Sequence, residues 1–105
     1  MKPADLRPLS TSEVDQALAQ LPGWSGNQNG IEKKIKFSSF REAIEFMHAC
    51  ADGIDQRDHH PVWCNKYDTL EIHLDTFDAG HKVTQRDIDL AQYLESVLAK
   101  KKKAG

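Results

Sequence analysis

Asp58-His59-His60-Pro61 sets two adjacent imidazoles between an acidic residue and a proline. Imidazole is the side chain whose ordinary pKa lies nearest neutrality. A pair therefore offers a proton donor and a proton acceptor at cellular pH. Pro61 fixes its own φ and drives His60 toward an extended conformation. The spacing predicts a stiff turn or strand entrance that presents the pair, not a helix interior. The chemistry that suits it is proton transfer on a bound small molecule. Asp58 and Asp55 are close enough in sequence to raise the pKa of an imidazole.

The other candidates are weaker. His48 falls beside the apolar stripe of an expected helix and reads as a surface or boundary residue. His73 lies opposite Leu70, Ile72 and Leu74 on an alternating strand. It either lines a solvated face of the sheet or is an ordinary exposed residue. His81 sits in a glycine-containing loop, where a surface role is the default. A zinc site needs three or four ligands, and neither HExxH nor a second close Cys/His pair is present. Cys64 lies near the histidines, but nothing adjacent in sequence stabilises a thiolate for nucleophilic work.

The 105 residues fit one domain, positions 1–105. A chain of this size gains from oligomerisation. Its composition, 39% hydrophobic and 29% charged, suits a globular protein and not a disordered one. A net charge of -2 argues against the strongly basic kind of nucleic-acid binder. No apolar run approaches the ~20 residues of a membrane span. The N-terminus leads into no signal-like segment, and Cys50 and Cys64 lack CxxC spacing. These features point to reduced thiols and a cytoplasmic setting.

Positioning the histidines requires the surrounding elements. Residues 1–10 read as a loose leader. Thr11 or Ser12 caps a first helix with Val14, Ala17, Leu18 and Leu21 inside, and Pro22-Gly23 ends it. Residues 26–30 read as a hairpin turn, followed by a strand over 31–37 whose Lys33 breaks the alternation and suggests an edge. Ser38 or Ser39 caps a second helix with a stripe of Phe40, Ala43, Ile44, Met47, Ala51 and Ile54. Gly53 marks its end or a loosened last turn, and 55–61 becomes a polar connection. Strands follow over 62–67 and 70–74. Thr84 caps the last helix, with Asp87 as capping-box partner and Ile88, Ala91, Leu94, Val97 and Leu98 buried. Residues 100–105 form a basic tail. The order is helix, two strands, helix, two strands, helix. It predicts an α+β fold, one antiparallel sheet with helices on a face.

With these residues assembled, the chain resembles the pterin-4a-carbinolamine dehydratase family. The resemblance is carried by Asp55-x-x-x-His59-His60-Pro61, five residues and then Tyr67. Gly23-Trp24, Phe37-x-x-Phe40, Trp63, Asn65 and Thr84-x-x-Asp87-x-x-Leu90-Ala91 extend it over most of the chain. It implies a four-stranded antiparallel sheet with three helices on one side, and dimers that pair into tetramers. It implies loss of water from a 4a-hydroxytetrahydropterin, which recycles the pterin used by aromatic amino acid hydroxylases. Neither a metal nor an organic cofactor is implied. The pterin site would be lined by Asp58, His59, His60, Asp75, Thr76, Phe77 and Asp78, with Asp55, Pro61, Trp63 and Asp87 in support.

One position departs from the pattern. The family places a third catalytic His, or a Trp, after nine intervening residues beyond Tyr67, and here Phe77 stands there. Phenylalanine moves no proton. The following loop is also one residue longer than in many relatives. Either His81 bends back to substitute, or the protein works with two imidazoles, or it is slow. Some relatives also stabilise dimers of a transcription factor, so a protein-binding module is the alternative to an enzyme. No particular protein partner is indicated.

Overall fold

In the computed structural model, residues 6–104 are described, with side chains through 101. The elements are α1 (Thr11–Leu18), β1 (Ser25–Asn27), β2 (Gly30–Lys36), α2 (Phe40–Arg57), β3 (Val62–Lys66), β4 (Thr69–Leu74) and α3 (Gln85–Ala104). A 3-10 turn covers Phe77–Ala79. The strands form one antiparallel sheet of order β1-β2-β4-β3, and the three helices pack against it. The α+β expectation holds.

The core follows from alternation. Ile31 and Ile35 of β2 and Leu70, Ile72 and Leu74 of β4 point to the helical side. They meet Val14 of α1, Ala43, Phe46, Cys50 and Ile54 of α2, and Ile88, Leu90, Ala91, Leu94 and Leu98 of α3. Each fully buried aliphatic or aromatic side chain contributes about 1.5–3 kcal/mol. Phe46 has no exposed surface, and its ring centroid lies 5.3 Å from that of Phe37.

Several local expectations are corrected. The N-cap of α1 is Ser10, whose hydroxyl accepts from the Glu13 amide while Glu13 accepts from the Ser10 amide. Positions 1–5 of the expected leader lie outside the described residues. Leu9 is buried and its amide donates to Val83 O at 2.9 Å, so this end of the leader belongs to the packed fold. Gly26 and Asn27, read as turn, pair with Ile31 and Gly30 in β1. Lys33 marks no edge: its ammonium reaches Glu95 of α3 at 2.6 Å and Pro22 O at 3.0 Å. The same Glu95 carboxylate accepts from the Trp24 indole.

In α2, Ser39 is the cap. The buried face is Ala43, Phe46, Cys50, Gly53 and Ile54, while Phe40, Ile44 and Ala51 are exposed and Met47 is half-buried. Gly53 ends nothing. It lies inside the helix, where a Cβ would enter the ring of Tyr93. That ring also carries the Arg57 guanidinium 4.1 Å from its centroid. The helix runs on through Asp55–Arg57 in place of the expected polar connection. At the far end, α3 continues through the expected basic tail to Ala104, and Lys101 pairs with Glu45 at 3.5 Å.

Both cysteines are free: Cys50 is buried and Cys64 is exposed. Burial pushes the Cys50 thiol up to about 12, so it stays neutral and unreactive near pH 7. A thiol-reactive probe is expected to label one cysteine per native chain, Cys64, and both in urea. Mass spectrometry of the labelled peptides checks this.

Candidate functional site

Three stretches of chain meet at one end of the sheet. The first is the end of α2. Asp58 adopts a left-handed conformation (φ 49°, ψ 41°) that stops the helix and turns the chain. Aspartate tolerates this region better than most residues. His59 and His60 follow in irregular backbone, and Pro61 leads into β3. The second stretch is Asp75 to His81 after β4. The third is Thr84 to Asp87, where α3 begins.

Asp87 joins all three. It has no exposed surface. Its Oδ2 accepts from the Thr84 amide at 2.9 Å, which caps α3, and from the Thr76 hydroxyl at 2.7 Å. Its Oδ1 faces His59 Nε2 at 2.6 Å. Thr76, 1% exposed, spends its proton on Asp87, so the Thr84 hydroxyl donates to Thr76 Oγ1 across 2.7 Å. Every polar atom of this buried knot has a partner, as burial demands. The carboxylate only accepts, so His59 donates from Nε2, and in a neutral ring Nδ1 is then the acceptor.

Three further imidazoles are also braced by carboxylates. His60 Nε2 lies 3.0 Å from Asp55 Oδ1 one turn back along α2. His73 Nε2 and His81 Nδ1 lie 2.9 and 3.1 Å from the two oxygens of Asp75. Burial opposes the charge of Asp75, but hydrogen bonds from His73 and His81 outweigh it and hold its carboxyl below the usual value. The His73 ring covers Gly30, where any Cβ would collide with it. Arg86 donates to the carbonyls of Asp58 at 2.8 Å and Arg57 at 3.3 Å. It thereby satisfies acceptors that the end of α2 leaves open.

These residues surround an open cavity of about 410 Å³, within the ~300–1,000 Å³ typical of small-molecule sites. Its lining is Asp58, His59, His60, Val62, Asp75, Thr76, Phe77, Asp78, His81 and Arg86. All the residues expected to line a ligand site are thus brought together, and His81 joins them. Asp55 and Asp87 stand behind their imidazoles. Trp63 does not line the cavity; it lines a separate groove over β3 and β4 with Cys64 and Ile72. Val62 and Arg86 were missed. Nothing in the type or spacing of Arg86 separated it from any cation on a helix surface. Among the described residues, no group of three or more His, Cys, Asp or Glu side chains is gathered to hold a metal ion. No described helix is long and apolar enough to cross a membrane.

Comparisons with known proteins identify the family of the chain. The profile of the family "Pterin 4 alpha carbinolamine dehydratase" matches residues 7–97. A protein of Opitutus terrae, provisionally named pterin-4-alpha-carbinolamine dehydratase, is 40% identical over 89 residues, 85% of this chain and 92% of its own length. A protein of Rhodopseudomonas palustris with the same provisional name is 42% identical over 93 residues, covering 87% of this chain and 91% of its own. The crystal structure of a transcriptional coactivator/pterin dehydratase from Brucella melitensis superposes with a TM-score of 0.81 at 32% identity, covering 87% of this chain and 98% of that one. The chain belongs to the pterin-4a-carbinolamine dehydratase family.

The difference between the buried and exposed carboxylates is measurable. Asp87→Ala removes a cap and strands buried donors, and is expected to cost about 2–4 kcal/mol in urea unfolding. Asp55→Ala breaks an exposed pair and should stay within about 0.5 kcal/mol of wild type. The depressed Asp75 carboxyl contributes stability above its unfolded value, lost as pH falls through the folded one. Asp75→Asn should therefore flatten the stability profile below about pH 4, read by thermal melts across pH.

Proposed function

We propose that this protein dehydrates a 4a-hydroxytetrahydropterin to the quinonoid dihydropterin, with His59 and His60 as the acid–base pair. One observation carries the reading. Two carboxylate-braced imidazoles adjoin one cavity of ligand size, in a chain of this family. Asp58, Asp75, Thr76, Phe77 and Asp78 would hold the pterin, and no cofactor takes part.

The chemistry needs two proton movements. One proton leaves the ring nitrogen beside the 4a carbon. Its electron pair closes a C=N bond as the C–O bond breaks. A second proton reaches the departing hydroxyl, which leaves as water. Protons given and taken balance, so no oxidant or reductant is required. His59 is held rigidly by buried Asp87, whereas His60 and Asp55 are both exposed. Bracing fixes the tautomer and direction of each ring without consuming its other nitrogen.

The setting that fits this reading is cytoplasmic, with free thiols and a dimer or tetramer. Exposed Val62 and Tyr67 at the β3 edge support self-association. A second reading, a protein-binding module with little dehydratase activity, is favoured by Phe77 and by exposed Phe40 and Ile44 on α2. An assay coupled to a pterin-dependent hydroxylase separates the two. His59→Gln, whose amide can still donate to Asp87, and His60→Ala are each expected to lower kcat by ~10²–10⁴ while the far-ultraviolet circular dichroism stays unchanged. Wild-type rates in both variants would refute the assignment. Intact pterin binding by an inactive wild type would favour the module.

A further inference from the structure

His81 has backbone geometry that its residue type does not favour. Its φ is +59°, in the left-handed region, directly after Gly80 at +76°. A non-glycine residue is uncommon there, and persists where its surroundings hold it. Three contacts hold this one. The His81 amide donates to Thr76 O at 3.1 Å, the neighbouring Thr76 amide donates to Lys82 O at 2.9 Å, and Nδ1 meets Asp75. The loop is thereby folded back so that the imidazole stands edge-on to Phe77, with centroids 5.1 Å apart and planes at 87°. Phe77 is 73% exposed and makes an aromatic wall of the cavity.

We propose that His81 supplies the third proton-transferring imidazole of the cavity and that Asp75 is the positioning residue that sets its tautomer. This rests on the dehydratase reading. Phe77 then acts as a shelf against which the His81 ring is set, and the loop brings to the cavity from residue 81 an imidazole that residue 77 does not carry.

The geometry determines what His81 can do. The Asp75 carboxylate accepts, so His81 donates from Nδ1, and Nε2 of the neutral ring is an acceptor. It can pass on to solvent the proton that the His59–His60 pair takes from the pterin nitrogen as the C=N bond forms, while the other imidazole of that pair protonates the leaving hydroxyl. Asp75 serves His81 as Asp87 serves His59. Its second oxygen is occupied by His73, which stands on the outer face of the sheet with Glu32 3.9 Å from its Nδ1. His73 therefore anchors Asp75 from β4 and need not touch substrate.

The test is steady-state kinetics of carbinolamine dehydration by the full-length chain. His81→Ala is expected to lower kcat by ~10²-fold or more, with KM nearly unchanged. Added imidazole should restore part of the rate, and so should Phe77→His in the His81→Ala background. Phe77→His alone should bring no gain. Asp75→Asn should lower kcat less, and ¹⁵N spectra of the ring should show His81 losing its Nδ1–H tautomer. His48→Ala, on the exposed side of α2, is the unaffected control. A wild-type kcat in His81→Ala alongside a damaged His59→Gln would overturn the proposal and leave the dehydratase reading standing. A loss in His81→Ala that neither imidazole nor the relocated histidine restores would also overturn it, because the loop would then be merely structural. If wild type itself does not dehydrate the carbinolamine, both readings fall.

Discussion

The site depends on one buried carboxylate. Asp87 accepts the Thr84 amide just before α3, the Thr76 hydroxyl and the His59 imidazole. A helix start, a loop after the sheet and a ring at the cavity are therefore held by the same two oxygens. A buried carboxylate is costly unless it is surrounded by donors. Here the donors come from three separate parts of the chain, so satisfying the charge and assembling the site are the same event.

His60, His73 and His81 are held by weaker versions of this arrangement. Asp75 is partly exposed and shared between His73 and His81; Asp55 is exposed and braces His60. Exposed pairs contribute little stability, so their value is orientation. The graded burial gives one ring locked in place and others at the solvent boundary. That suits a reaction in which one proton must be held and another exchanged with water.

Much of the architecture was legible because it rests on short-range rules. The alternation of Leu70, Ile72 and Leu74 set the face of β4, and Thr84 with Asp87 announced the start of α3. The phase of α2 was not legible. Apolar residues cover two neighbouring faces, and the face with the small residues Ala43, Cys50 and Gly53 is buried because it admits Tyr93 and the sheet. Lys33 misled for a similar reason: its partner Glu95 lies 62 residues away, so only packing reveals why a lysine is tolerated beneath the sheet.

The amino-acid order alone determined the adjacency of His59 and His60, the proline that keeps them out of a helix, and the strand and helix periods that make an α+β fold. These are properties of neighbouring residues, whose geometry is limited by covalent structure. Tertiary structure alone decided that Asp87, and not Asp58, braces His59, that Arg86 closes the end of α2, and that His81 returns to the cavity beside Phe77. Those pairings join groups far apart in sequence or turn on a left-handed residue, and they exist only once the core has brought the ends of three elements together.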